Sequence, residues 1–222
     1  MAGLEESTRI VQLKVRLLGL SPMIWRRVLV PESVMLRELH GFLQVGMGWD
    51  GIHLYYFDIH AMRYGSLELH VESPDTPLSR FRFRAKDRFA YLYDMGDHWE
   101  HEVRIEKFLE QNPKKMYPVC TGGSRACPPE DCGGPPGYRK WQEEVTGYDA
   151  WSDWDLVGGF VSRVLDGQSA GYLTEDEREA IDDALERMEQ RQPFLQTTFH
   201  RRPVNDAFRG GRHLEMMRQQ LI

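Results

Sequence analysis

Hydrophobic and polar side chains alternate in the first regular segments of the chain. Residues 10–18 read IVQLKVRLL and residues 24–31 read IWRRVLVP. A period of two is typical of a strand with one buried face. The intervening GLSP contains Gly19 and Pro22, which favour a turn. The pattern therefore predicts a β-hairpin that ends at Pro31.

The hydrophobic period then changes to that of a helix. Leu36, Leu39, Leu43 and Met47 recur at helical spacing. Ser33 is a suitable N-cap residue for this helix. Residues 51–59, GIHLYYFDI, are rich in aromatic and β-branched side chains, which predicts a third strand.

Residues 89–108, FAYLYDMGDHWEHEVRIEKF, give the clearest hairpin pattern. Two alternating runs flank a turn at Met95, Gly96 and Asp97. In the second run, Trp99, His101, Val103 and Ile105 share one face. The pattern predicts that His101 lies on the apolar side of its strand.

The second half of the chain has helical periodicity. We expect one helix over residues 137–147 and another that begins after Ser152. Thr174 and Glu177 form a capping box for a third helix. Residues 192–222 are expected to be a tail with one short helix.

The order of elements predicts an α+β fold. It comprises a β-hairpin, a helix and then further mostly antiparallel strands in one sheet, with C-terminal helices packed on it. We expect a domain over residues 1–170, which includes the loop 117–138, and a helical extension with a tail over residues 171–222.

Composition limits the class of protein. The chain has 222 residues, 41% hydrophobic and 28% charged, and a net charge of −6. The acidic balance argues against bulk nucleic-acid binding. No apolar run approaches the roughly 20 residues of a membrane span, and MAGLEESTRI lacks a signal-peptide core. We therefore expect a cytoplasmic protein with no membrane partner.

All three cysteines lie in one Pro/Gly-rich loop. They are Cys120, Cys127 and Cys132 of YPVCTGGSRACPPEDCGGPPGY, residues 117–138. Zinc prefers four thiolate or imidazole ligands, and His101 is the best candidate for the fourth. This predicts a structural Cys3His zinc site. The alternative, three free thiols and one hydrogen-bonded core histidine, stays open because the spacing of Cys120 from Cys127 is wide for paired ligands.

A second group combines carboxylates and histidines. Its members are Asp94, Asp97, His98, Trp99, Glu130 and Asp131. Such residue types support acid–base chemistry or an oxygen-ligated metal. Aspartates beside a glycine turn also bond the backbone, and we favour that interpretation for Asp94 and Asp97. We interpret His40 and His53 as packed or surface histidines.

The segment RFRFRAKDR places basic residues at every second position. They are Arg80, Arg82, Arg84, Lys86 and Arg88. An extended segment would form a basic stripe for phosphate or nucleic acid. Pairing with Glu100, Glu102 and Glu106 of a nearby strand is the favoured alternative.

Several motifs together resemble the plasmid pRiA-type ORF-three-like family, whose members are often labelled TnpR-like or transposon passenger proteins. These motifs are IWRRVLVP, LRELHGFLQVGMGWDGIHLYYF, YLYDMGDHWEHEV and the cysteine loop, and the resemblance covers roughly residues 10–160. The resemblance implies a compact α+β domain with His101 and the cysteines retained in pattern. It implies no established activity, and no serine-recombinase pattern is found.

These observations lead to three functional hypotheses. The first is a non-enzymatic binding or interaction module linked to mobile elements, with a protein or nucleic-acid partner and a structural zinc site. The second is a metal-dependent enzyme that uses the carboxylates and histidines at residues 94–101. The third is a DNA-binding accessory protein.

Overall fold

The computed structural model describes residues 9–167 and 173–219. Seven antiparallel strands form a sheet in the order β4-β3-β5-β6-β1-β2-β7. The strands are β1 (Ile10–Leu17), β2 (Trp25–Pro31), β3 (Tyr55–Ile59), β4 (Met62–Gly65), β5 (Arg88–Tyr93), β6 (Trp99–Leu109) and β7 (Val119–Ser124). The helices are α1 (Leu36–Met47), α2 (Gly134–Glu144), α3 (Tyr148–Leu165), α4 (Glu175–Leu195), α5 (Arg201–Arg209) and α6 (Arg212–Gln219). The predicted α+β class is confirmed.

Both predicted hairpins form, and the buried face of β6 agrees with its period-two pattern. Two boundaries in the first half of the chain differ from the prediction. The third strand begins at Tyr55, so His53 lies in the preceding loop. Helix α1 begins at Leu36, because the Glu38 carboxylate accepts the N–H of Met35 at 2.9 Å and closes the first turn without Ser33.

Polar side chains tie α1 to the centre of the sheet. The His40 ring stacks on Tyr55 at 3.7 Å, and its Nδ1 lies 2.7 Å from the Tyr91 hydroxyl. Gln44 Nε2 donates to the same hydroxyl at 2.7 Å. Complete burial lowers the pKa of His40 to about 3, so the ring is neutral at pH 7. These contacts fix α1 over β3 and β5.

The C-terminal residues are not the tail that the sequence suggested. Helices α5 and α6 pack against α1, where Phe42 contacts the rings of Phe208 and His213. The Asn205 carboxamide bonds both the N–H and the carbonyl of Cys120 at 2.8 and 2.9 Å. It thereby satisfies backbone groups on the outer edge of β7, which would otherwise be an unpaired edge strand.

The division of the chain therefore differs from the predicted boundary at residue 170. The described residues up to Pro135, together with those from Thr198 onward, form one compact unit. Residues 136–197 form a second unit. The difference arises because α4 packs on α3, whereas the last two helices pack on α1 and β7.

An ion-pair cluster holds the second unit together. Asp153 of α3 accepts from Arg187 at 2.8 Å and from Arg191 at 2.5 Å, and both arginines belong to α4. The arginines hold the pKa of Asp153 below its usual value. The Thr174–Glu177 capping box is present as predicted, with the Glu177 N–H 3.2 Å from Thr174 Oγ1. Helix α3, however, begins at Tyr148, before the expected Ser152 cap.

None of the helices in residues 9–167 and 173–219 is both long and apolar enough to cross a lipid bilayer.

Candidate metal centre at the end of the sheet

One imidazole and two carboxylates converge where β3 begins and β5 ends. His53 Nε2 lies 3.0 Å from Asp131 Oδ1 and 3.6 Å from Asp94 Oδ2. One ligand atom from each residue falls within 4.8 Å of the others. Among the described histidines, cysteines and acidic residues, no other trio meets this condition. We refer to His53, Asp94 and Asp131 as the HDD cluster.

Asp94 is fixed in place by its own turn. It follows β5 directly, has a left-handed backbone (φ 61°) and is only 6% exposed. Its Oδ1 accepts the N–H groups of Gly96 at 2.8 Å and Asp97 at 3.3 Å. This is the turn bonding that the residue types favoured. It uses one carboxylate oxygen and leaves Oδ2 facing His53.

The loop that carries Asp131 is held on both sides. Glu130 accepts the Tyr93 hydroxyl and, at 2.7 Å, the N–H of Asp50. On the other side, Asp97 Oδ2 accepts the N–H of Gly133 at 3.2 Å. Burial raises the pKa of Tyr93, which keeps its hydroxyl protonated as a donor. Asp131 is thus placed by its neighbours although it is itself exposed.

Trp49 anchors the same loop at Pro128, which precedes Glu130 and Asp131. Its Nε1 donates to the Pro128 carbonyl at 2.8 Å, and its ring stacks on Tyr93 at 5.3 Å. Tyr93 also receives the His53 N–H at 3.4 Å. One aromatic wall therefore positions the loops that carry His53 and Asp131.

Four of the six candidates in the carboxylate–histidine group lie at this end of the sheet. Asp94 and Asp131 belong to the HDD cluster, and Asp97 and Glu130 support it. The other two do not join them; His98 is exposed and not among the grouped ligand atoms, and Trp99 is fully buried.

The sequence interpretation missed His53. The only indication in the sequence was the position of His53 just before an aromatic strand. That strand pairs with β5, with Tyr55 opposite Tyr93, and this pairing brings His53 beside Asp94.

The predicted zinc ligands do not converge. Cys120 Sγ lies 3.4 Å from the Gly122 carbonyl within β7, and Cys127 Sγ lies 3.2 Å from Met47 Sδ. Burial raises the pKa of Cys127 to about 11 and that of Cys132 to about 12, so these thiols are protonated at pH 7. No two of the three sulfurs belong to a group of metal-ligating atoms within the described residues.

His101 lies in the core instead of reaching the loop. Its Nδ1 is 3.2 Å from the Tyr91 carbonyl, and its ring packs edge-on against Trp49 at 5.5 Å. Its Nε2 has no hydrogen-bond partner among the described residues. The described structure therefore does not bring the four predicted ligands together, and the Cys3His zinc site stays a prediction.

Arg26 organises the cysteine loop through contacts of its guanidinium. Its side chain is buried, and Nη1 donates to the carbonyls of Ser124 and Arg125 at 3.1 and 2.9 Å. Nη2 lies 3.4 Å from Cys127 Sγ, and Nε donates to the Gly46 carbonyl at 2.7 Å. One guanidinium thus joins the loop to the end of α1.

The basic segment is not an extended stripe. It contains a 3-10 turn at Leu78–Phe81 and left-handed residues at Arg82 and Lys86. The turns arise because Phe83 is drawn into the core, where it stacks on Phe89 at 5.1 Å. All five basic residues are exposed, and Arg88 pairs with Glu102 at 2.7 Å.

The chain matches a known protein family over most of its length. The family model described as "Plasmid pRiA4b ORF-3-like protein" matches residues 9–153, well over half of the chain. The chain belongs to this family. The expected resemblance is therefore confirmed, and the matched residues include the whole HDD cluster.

The chain is similar to two proteins whose names state no activity. It is 37% identical over 144 residues to "Uncharacterized protein y4hQ" of Sinorhizobium fredii (strain NBRC 101917 / NGR234), covering 61% of this chain and 73% of that one. It is also similar to a crystal structure titled "Protein of Unknown Function MM3350" from Methanosarcina mazei Go1. That match has 33% identity and a TM-score of 0.59, and it covers 64% of this chain and 83% of that one.

Proposed function

We propose that this protein binds a divalent transition-metal cation at the HDD cluster and uses it in a metal-dependent reaction. The observation that carries the proposal is the convergence of His53 Nε2 with one carboxylate oxygen each from Asp94 and Asp131. His53 Nε2 is inaccessible to solvent and makes no hydrogen bond of normal geometry in the described structure. A cation between the three groups would satisfy it and offset the repulsion of the two carboxylates.

The donor set indicates the class of metal and its role. One imidazole and two carboxylates suit Zn²⁺, Mn²⁺ or Fe²⁺ better than a thiolate-preferring ion. Three protein ligands leave coordination positions for water or an oxygen-bearing ligand, as in catalytic sites and unlike closed structural sites. This favours the second sequence hypothesis, with His53 and Asp131 added to Asp94.

The interaction module linked to mobile elements is the second candidate. Its support is the plasmid designation of the family and an exposed apolar surface on α3, which includes Trp151 and Trp154. A DNA-binding role has weaker support, because the basic segment turns at Arg82 and Lys86 instead of running straight.

Calorimetric titration of untagged, metal-stripped protein with Zn²⁺ and Mn²⁺ tests the metal proposal. We expect His53→Gln, Asp94→Asn and Asp131→Asn each to weaken binding by at least about tenfold, since loss even of a supporting group costs that much. His98→Gln is the matched control, because His98 is exposed in the same turn as Asp94 but outside the cluster.

A triple Cys→Ser variant separates the two candidate sites. It should retain the affinity of the parent protein for Zn²⁺. Unchanged binding in His53→Gln, or loss of binding in the cysteine variant, would contradict the proposal.

A further inference from the structure

Helix α3 exposes an unusual amount of apolar surface. Eighteen large hydrophobic residues are exposed in the described part of the chain, and seven of them belong to this one helix. They are Tyr148, Trp151, Trp154, Leu156, Val161, Val164 and Leu165. Soluble proteins rarely leave a continuous apolar patch uncovered unless it is an interaction site.

Five residues of α3 form a continuous line. Trp151, Trp154, Gly158, Val161 and Leu165 follow one another at spacings of three, four, three and four, and we call them the α3 stripe. The four with side chains are 67%, 56%, 46% and 81% exposed. The stripe is distinct from the adjacent face that packs on α4, which carries Ala150, Asp153, Val157 and Phe160.

The residues of the α3 stripe are placed symmetrically about Gly158 along the sequence, but the side chains on its two sides differ in size. Gly158 is its midpoint, seven residues from Trp151 and seven from Leu165. The two large indoles lie on the N-terminal side, and the smaller aliphatic side chains lie on the C-terminal side. A Cβ added to Gly158 would meet no atom within 4 Å, so the helix backbone is open to close approach at this point.

We propose that a second copy of this chain covers the α3 stripe, with the two α3 helices antiparallel and a two-fold axis at Gly158. This arrangement places Trp151 opposite the partner copy's small C-terminal half, so large side chains meet small ones on both sides of the axis. A parallel arrangement would oppose tryptophan to tryptophan and align the helix dipoles unfavourably.

The apolar area of the stripe is comparable with that of a small specific interface. The four stripe side chains expose roughly 500 Å² per copy, so their complete burial in both copies would remove roughly 1,000 Å² from solvent, about the smallest area of a specific interface. The family match ends at residue 153, so most of the stripe lies outside it. The proposal therefore concerns this chain and is independent of the metal site.

Substitutions at two adjacent glycines give a test variant and its matched control in the whole chain. Gly158→Arg places a long charged side chain on the axis, whereas Gly159→Arg places it on another face of the same helix. Neither position has an atom within 4 Å of an added Cβ, and arginine favours a helix more than glycine does. Both variants should therefore fold, and Gly159→Arg, which leaves the dimer intact, should have an unfolding temperature at least equal to that of the parent.

We expect sedimentation velocity over a dilution series to give a dimer for the parent and for Gly159→Arg, and a monomer for Gly158→Arg. A parent protein that stays monomeric at every concentration would overturn the proposal, whether the stripe is then free or covered by its own chain. Dimers of Gly158→Arg, or monomers of Gly159→Arg, would also overturn it.

Cross-linking tests the orientation. Chains with Trp151→Cys and chains with Leu165→Cys are treated with a short thiol-specific reagent, separately and mixed, with the parent protein as background. The antiparallel arrangement predicts covalent dimers in the mixture and none above background in either variant alone. Efficient cross-linking of each variant by itself would indicate parallel helices and contradict the proposal.

Discussion

The cysteine loop and the HDD cluster show two different relations between residue type and site. The loop concentrates three of the best zinc ligands within residues 117–138, yet the sulfurs of Cys120 and Cys127 have separate neighbours and the three form no group of ligand atoms. The cluster uses a histidine and two aspartates from distant parts of the chain, yet their ligand atoms meet. A site depends on where side chains point, and nearness in sequence does not ensure that.

The two regions also differ in what holds them. The loop is fixed by backbone carbonyls that converge on the Arg26 guanidinium, which needs no ion. The HDD cluster brings two carboxylates together without a guanidinium in contact with either among the described ion pairs. We therefore expect the loop to survive metal removal and the cluster to respond to it.

The largest expected effect is a loss of stability in acid, and it tests whether His101 is a core residue. Burial lowers its pKa to about 4 and that of His40 to about 3, from an ordinary 6.5. Below pH 6.5 the unfolded chain binds protons that the folded protein excludes, so stability falls as the pH falls from about 6.5 towards about 4. The rings of His40 and His101 both contact Tyr91, which is neutral. Between pH 7 and pH 5 the two histidines should lower the free energy of unfolding by about 4 kcal/mol.

Urea unfolding at pH 7 and pH 5 measures this loss. His101→Leu should reduce the loss by about half, since one of the two buried histidines is removed. His60→Gln is the control, because His60 is exposed. An acid response that His101→Leu leaves unchanged would show that the ring is not buried as described.

The next largest effect is expected for a substitution of Gly134, which tests whether backbone packing positions the loop that carries Asp131. Gly134 has a left-handed backbone (φ 65°), and an added Cβ would clash with the Asp97 carbonyl oxygen. Gly134→Ala should therefore lower the free energy of unfolding by about 3 kcal/mol, from backbone strain and overpacking. It should also weaken Mn²⁺ binding, because Asp131 would move.

Thermal or urea unfolding and a Mn²⁺ titration check this prediction. Gly158→Ala, which meets no atom, is the control. A Gly134→Ala protein as stable as the parent would mean that the loop does not approach Asp97 so closely.

A smaller effect separates packed thiols from a shared zinc ion. Cys120→Ala and Cys132→Ala should each cost about 1 kcal/mol of stability, the usual result of removing a small buried group. Because the Cys120 thiol bonds the backbone of Gly122 and the Cys132 thiol that of Gly134, the double variant should cost the sum of the two. Chemical unfolding with and without a chelator measures it.

Strong non-additivity in that series, together with sensitivity to the chelator, would support the zinc prediction. A shared ion would be lost with the first ligand, so the second substitution would then cost little.

The smallest effect concerns the HDD cluster without metal. Asp131→Asn removes one of two neighbouring carboxylates at an exposed position. In metal-free protein we expect the free energy of unfolding to change by no more than about 0.5 kcal/mol. In the presence of Zn²⁺, only the parent should be stabilised, because only it binds the ion well. Differential scanning calorimetry, with and without Zn²⁺, compares the two proteins, and an equal response of both would contradict the assignment of Asp131.

Local patterns predicted most of the secondary structure correctly. The alternation in residues 10–18 and 89–108, and the capping box at Thr174, required only neighbouring residues, and all three are present. The aspartate turn at Asp94 was likewise local. The C-terminal helices were underestimated because α5 is stabilised by packing on α1 and β7, which no local pattern reveals.

The sequence by itself determined the class of fold, the family and the burial of His101, because strand period and turn chemistry act between near neighbours. Only the tertiary structure decided which side chains meet. Strand pairing placed Tyr55 opposite Tyr93 and so brought His53 to Asp94, while it directed His101 into the core and away from the cysteines. Contacts between distant residues follow from the order and register of the strands, and that order is fixed by the packing of the whole sheet.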